Sequence, residues 1–302
     1  MVDGLGSYAV FMHNVENVLK ASLIGGFVAR FNAGLAYSVA LAFVWGVAYP
    51  LTRMAEAYAS PMVISLARVA LASLFLYPLA KRLVVNLKML VASALNMGLF
   101  LTLLNLSILH TPNPGLAALM VYTQPLFVVV LERLMLKRRL GTMRVVGVLL
   151  GFVGVALASV RAVSLGLGVL AGLMAGLLWG LGTVMYSMWF SGLDPIVANA
   201  SSSVLSIPIV ALTLPIDPVV SLTLRGVALI LLVVLDAQVL GFMLWFKAMS
   251  SERPSTVSSI LLATPILALY FSALMLKSQL TPLELAGTAV TVMGVLMVIR
   301  SS

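Results

Sequence analysis

Ten apolar stretches, each near the length that crosses a bilayer, run through this chain. They lie at roughly 33–51, 61–80, 88–110, 115–136, 142–160, 164–190, 195–214, 226–248, 255–276 and 282–300. A spanning helix takes about 20 apolar residues, so ten of them would use about 200 residues. The 302-residue chain then has too little left for a soluble domain. Composition agrees: 62% of residues are hydrophobic and 9% charged, with a mean hydropathy of +1.15. Soluble domains run near 45–50% apolar and about 25% charged. A water-soluble enzyme, a disulfide-stapled secreted scaffold and a disordered binder are thereby excluded. The expected fold is an all-α integral membrane protein of ten transmembrane helices, with 142–160 and 195–214 its weakest members.

The breaks between runs carry stop and start signals: Ser60-Pro61, Thr111-Pro112-Asn113-Pro114, Asp194-Pro195 and Arg253-Pro254. Proline suits the first helical position, where its missing N–H costs nothing. Residues 1–32 are mixed, with Phe11, Val15, Val18, Leu19, Leu23, Phe27 and Val28 at helical spacing around Glu16, Lys20 and Arg30. They read as an amphipathic helix at the membrane surface or as a disordered leader. No basic stretch precedes a compact apolar core there, so a cleaved signal peptide is not expected.

The net charge of +9 is distributed in short basic clusters such as Lys81-Arg82 and Lys137-Arg138-Arg139. Such clusters anchor loops at an inner leaflet, and they do not form a nucleic-acid surface. With the N-terminus inside, 13 of the 18 Lys and Arg residues fall on the inner side. Arg53, Arg161, Arg225 and Lys277 fall outside, and Arg68 stays within the membrane. Both termini are therefore expected in the cytoplasm, in a cell (plasma) membrane protein. No cysteine is present, and His13 and His110 have no ligand-like spacing. Neither a metal nor a cofactor is expected. No Walker motif offers a nucleotide site. Clustered acids for a membrane prenyltransferase or phosphatase are missing, as is a protease constellation, so an enzyme is not expected.

An internal repeat is the most specific signal. Ala42-Phe43-Val44-Trp45-Gly46 matches Gly176-Leu177-Leu178-Trp179-Gly180 at an offset of 134, which also pairs Ser60-Pro61 with Asp194-Pro195. At an offset of 140, Pro125 pairs with Pro265 and Leu134-Met135-Leu136-Lys137 with Leu274-Met275-Leu276-Lys277. Gly147 then pairs with Gly287, and Gly154-Val155 with Gly294-Val295. The repeats are expected at 33–160 and 161–302. Five spans each is an odd number, so the second copy enters the membrane inverted. Inverted repeats place a solute site near the midplane, between the halves.

The residues Phe43-Val44-Trp45-Gly46 with Tyr49-Pro50, Pro61 with Arg68, and Pro125-Leu126-Phe127 carry a family resemblance. Leu131-Glu132-Arg133, Gly147-Val148 and Gly154-Val155 extend it. Over roughly 33–300 the chain resembles the EamA-domain carriers of the drug/metabolite transporter superfamily. The resemblance implies two EamA repeats and a secondary carrier of amino acids, other metabolites or drugs. Glu132 departs from the symmetry, since its match in the second half is Ser272.

Candidate site residues follow from depth and symmetry. Arg68 lies about 10–12 Å into its span and Asp236 about 16 Å into another that runs the same way. Buried ionisable groups face a partner or a wet cavity. Arg68 and Asp236 are therefore expected as a fixed ion pair or, for Asp236, as a proton carrier or counter-charge for a solute amine. Asn96 is the offset mate of Asp236, and Gln238 and Asn105 add hydrogen-bonding capacity nearby. Trp45 and Trp179 are mates at mid-span, where a cavity wall or core packing would use them. Tyr49, Tyr122 and Tyr270 are further candidates for solute binding. Pro125 and Pro265 are hinge candidates. Glu132-Arg133 reads as a structural contact at a helix end. The expected function is alternating-access movement, as an exporter, of small organic solutes such as amino acids or related metabolites. Its partners are the solute, the lipid bilayer and, for a coupled carrier, protons. A drug exporter and a lipid or lipid-linked-sugar flippase are the alternatives on the same fold.

Overall fold

A computed structural model describes residues 33–110, 120–139, 141–159, 166–277 and 280–301. The amphipathic reading of 1–32, the Thr111–Pro114 stop and Arg161 lie outside the described residues. The described chain is helical: α1 (Ala33–Ala55), α2 (Pro61–Ala80), α3 (Leu87–Leu109), α4 (Gln124–Met135) and α5 (Thr142–Ser159). Then follow α6 (Leu167–Phe190), α7 (Pro195–Ala211), α8 (Leu224–Ser251), α9 (Pro254–Leu276) and α10 (Pro282–Arg300). No strand occurs among the described residues; a lone antiparallel bridge joins Ala59 to Val220.

Among the described residues, eight helices are long and apolar enough to cross a membrane. The segment 195–214, expected to be weak, is one of them, because its helix and a 3₁₀ turn, Leu214–Ile216, together extend it. The other two expected spans fall short of that criterion. α4 has only 12 residues from Gln124, and the start of its expected span lies outside the described residues. α5 is a shorter apolar helix with Arg144 in its first turn.

Helix starts follow from local chemistry. Each helix leaves its first N–H groups unpaired, and a short polar side chain just before it can accept from them. Asn86 accepts from Met89 at 2.9 Å, Asp194 from Ile196 at 2.9 Å, and Thr223 from Gly226 at 3.1 Å. Thr281 and Glu284 form a reciprocal capping box at α10. Pro61, Pro195, Pro254 and Pro282 stand at the helix starts, as their rigid φ favours.

The packing has a regular plan. α1 packs on α8 and α9, and α6 packs on α3 and α4, while α2 pairs with α7 and α5 with α10. Exchanging each helix with the one five places along leaves that plan unchanged. Both α3 and α8 are widened by a π turn, at Ala94–Gly98 and Val234–Leu240, 140 residues apart. A π turn displaces backbone groups from the regular ladder, so side chains can reach them. Asn199 accordingly donates to the Gln238 carbonyl at 3.1 Å.

Candidate solute cavity

The π turn of α8 organises the centre of the molecule. Trp45 of α1 donates its indole N–H to the Ala237 carbonyl at 3.0 Å, and its ring lies against Gly241. Only glycine tolerates that approach, since a Cβ there would overlap the indole. Trp45 then meets Trp179 of α6 edge-on, with ring centroids 5.6 Å apart. Phe242 stands 5.4 Å from Trp45, Phe100 stands 4.9 Å from Trp179, and Tyr122 stands 6.4 Å from Trp179. These five rings form the floor and walls of a cavity of about 400 Å³. A volume of that order suits a small organic molecule.

The cavity extends from this aromatic box to Arg53 and Glu56 at the end of α1, Ile108 near the end of α3 and Leu276 at the end of α9. Its polar lining includes Tyr49, Thr52, Arg68 and Ser272. The hydroxyls of Tyr49 and Tyr122 approach each other, and both Tyr49 and Asp236 lie within electrostatic reach of the Arg68 guanidinium. Arg68 and Asp236 form no ion pair within 4 Å. Arg68 Nε and Asp236 Oδ2 are buried without hydrogen-bond partners, as is Trp179 Nε1. Desolvated polar atoms without partners are costly and invite a ligand. Asp236 is not on the cavity lining; it sits in the π turn one residue before the lining Ala237, and its tie to the site is its electrostatic reach to Arg68.

Of the residues expected to bind solute, Trp45, Tyr49, Tyr122 and Trp179 line this cavity, joined by the ion-pair candidate Arg68 and the hinge candidate Pro265, while Asp236 is not on the lining. Nor are the others. Asn96, 2% exposed, donates to the Ala92 carbonyl and accepts from Thr183 Oγ1 at 3.4 Å. Gln124 continues that chain, donating to Thr183 at 3.4 Å and to Ser258 at 3.0 Å, so Asn96 ties helices together. Gln238 is fully buried, its amide nitrogen on Met97 Sδ at 3.3 Å. Asn105 is paired with Ser65 between α3 and α2. Tyr270, one residue past the lining Leu269 and so about 100° round the helix, turns away from the cavity and is 53% exposed. Pro125 lies in the first turn of α4, where it needs no kink.

Phe100, Phe242, Gln124 and Thr183 escape a reading of the sequence alone. Two of them carry a readable signal. Thr183 is the 134-offset mate of Tyr49, and Gln124 is the 140-offset mate of Thr264. The two phenylalanines have no aromatic mates, so nothing separates them from the other phenylalanines of the chain.

The tryptophan mates are used unequally, and stability should report it. Trp45→Phe strands the Ala237 carbonyl and should destabilise by about 1–3 kcal/mol. Trp179→Phe loses no intramolecular hydrogen bond and should cost clearly less in the same thermal-denaturation series.

The profile of the EamA-like transporter family matches residues 32–160 and again residues 166–300. The chain belongs to that family. An uncharacterised transporter of Bacillus subtilis, YvbV, is 29% identical over 85% of this chain and 88% of its own length. An uncharacterised transporter of Archaeoglobus fulgidus is 26% identical, covering 85% of this chain and 95% of its own. Protein PecM of Dickeya dadantii is 26% identical over 81% and 84%. A solved crystal structure superposes with a TM-score of 0.75 at 16% identity, covering 87% of this chain and 96% of that one, a likeness of fold. As an EamA-like transporter, the chain is a multi-pass membrane protein that moves small-molecule solutes.

Proposed function

We propose that this EamA-like transporter is a secondary carrier that exports amino acids or related metabolites across the plasma membrane. Its ten spans would form two inverted repeats of five, 33–160 and 161–302, with both termini cytoplasmic. The exchange-invariant packing of α1–α5 with α6–α10 and the matched π turns support that reading. Near-equivalent halves give the outward-open and inward-open forms similar energies, which alternating access requires.

The observation that carries the substrate class is a cavity-lining cation, Arg68, with an acid beside the lining, Asp236, whose Nε and Oδ2 respectively are buried without hydrogen-bond partners. A zwitterion supplies both missing partners, its carboxylate to Arg68 and its ammonium to Asp236. The aromatic faces of Trp45, Trp179 and Tyr122 hold the rest of the solute and attract an ammonium. In this reading Asp236, beside the lining and near Arg68, exchanges a proton with the cavity and couples efflux to a proton gradient.

Counterflow in proteoliposomes tests the class. Vesicles preloaded in turn with single amino acids and related metabolites should show saturable uptake of the matching labelled solute. Amino acids lacking either charge, as amides or N-acetyl derivatives, should compete at least tenfold more weakly, since each leaves a buried charge unpaired. Equal competition by the blocked forms would overturn the zwitterion assignment.

A further inference from the structure

The two ends of the cavity axis are built differently, and one carboxylate makes the difference. At the mouth end, α9 finishes at Leu276, which lines the cavity and is exposed. At the other end, all seven residues from Pro254 to Ile260 in the first part of α9 are buried. There Glu132, at the end of α4 and with no exposed surface, accepts from the Ser255 backbone N–H at 2.8 Å. That N–H belongs to the first turn of α9 and has no partner within its helix. Arg138 approaches the other carboxylate oxygen at 3.9 Å. Arg144 of α5 adds bonds to Ser255 Oγ at 3.3 Å and to the Ser301 carbonyl, just past α10, at 3.2 Å. The start of α1 closes on the same end, where Gly34 leaves a Cβ no room against Ser251 and Glu252.

We infer that Glu132 is a one-sided latch, which clamps α9 to α4 and holds the carrier closed at that end while the mouth stays open. The inference rests on the alternating-access reading. A charge-assisted bond in a desolvated site is strong, and opening has to exchange it for water at both groups. The latch therefore biases the two access states. At the mouth end the position related to Glu132 is Ser272, a cavity-lining residue without charge. The repeats are thus alike in fold and unlike in what secures them. Opening the latched end requires the Ser255 N–H and Glu132 to find other partners, which gives one access state a lead that the repeat alone does not.

The chain contains no cysteine, so a single reporter reads sidedness directly. Ala48 lines the cavity, and Ala48→Cys would be labelled with a membrane-impermeant maleimide in vesicles of each orientation. With Glu132 intact, labelling should come almost wholly from the mouth face. Glu132→Ser, which copies the mate, should raise the ratio of labelling from the latched face to that from the mouth about tenfold. Glu132→Gln, which keeps the shape and an acceptor, should give a smaller shift in the same direction. Ser255→Pro deletes the donor N–H together with the hydroxyl that Arg144 bonds, and should shift the ratio the same way. Variants are compared at equal counterflow-competent protein. An unchanged ratio in the variants overturns the latch while leaving alternating access intact. Equal labelling of the parent protein from both faces would mean equally populated access states and overturns the latch, whereas a parent protein that shows no counterflow overturns the alternating-access reading beneath it.

Discussion

Asp236→Asn should abolish solute accumulation driven by a pH gradient while counterflow without a gradient persists. The reason is placement. Glu132, Asp194, Asp217, Glu252 and Glu284 stand at helix ends or caps, and Glu56 is paired with Arg53 at 2.8 Å near the mouth. Asp236 is the one acid among the described residues that lies mid-helix beside the cavity. Asparagine keeps its size and a hydrogen-bonding carbonyl but cannot carry a proton. Uptake against a gradient in proteoliposomes should fall by at least tenfold, a change comparable to losing one charged hydrogen-bond partner. The same substitution leaves Arg68 without its acid neighbour, so an effect on exchange would have a second explanation. Arg68→Gln combined with Asp236→Asn separates the two. If exchange is lost in Asp236→Asn and returns in the double variant, charge balance is the role of Asp236 and proton carriage is not. If exchange survives in the single variant and only the driven step is lost, Asp236 is the coupling site.

How far the sequence reveals such a site depends on what each residue has to touch. The helices were legible because lipid imposes one rule on every residue, apolar side chains in runs of fixed length. The starts at Pro61, Pro195 and Pro254 were legible because proline is favoured at the first helical position. Trp45, Trp179, Tyr49 and Arg68 reached the cavity because depth and repeat symmetry constrain position along the membrane normal. Neither constrains rotation about the helix axis. Tyr270 has a suitable depth and points away, and Asn96 has the right mate and spends its hydrogen bonds between helices. Rotation is fixed by neighbours from distant helices, and no short stretch of sequence contains those. The unequal roles of the two tryptophans had the same origin, because α3 and α8 carry matching π turns and yet only Trp45 reaches a carbonyl there, while Trp179 Nε1 has no partner.

The largest effects on folding should come from glycines of α5 and α10, which meet backbone to backbone. A Cβ added at Gly154 would lie 2.6 Å from the Gly287 carbonyl oxygen, and one at Gly294 would lie 2.8 Å from the Gly151 Cα. Thr291 fits between them, its hydroxyl bonded to the Gly287 carbonyl at 2.9 Å. In a bilayer, apolar surface gives helices no reason to associate, so such close contact supplies the attraction itself. A methyl group there can relax only by parting two backbones, which removes van der Waals contact along the whole seam. Gly294→Ala should cost about 3 kcal/mol, the upper range for overpacking, and Gly294→Leu should leave no monodisperse protein. Gly192 and Gly166 sit in open space, where an added Cβ would meet no neighbour within 4 Å. Gly192→Ala should therefore match the parent in yield and melting temperature, while Gly166→Ala, at the N-cap of α6, should lose only the small preference of that position for glycine over alanine. Detergent-solubilised variants compared by size-exclusion profile and thermal denaturation decide it. Equal melting of Gly294→Ala and Gly192→Ala would mean that α5 and α10 are held by something other than this glycine seam.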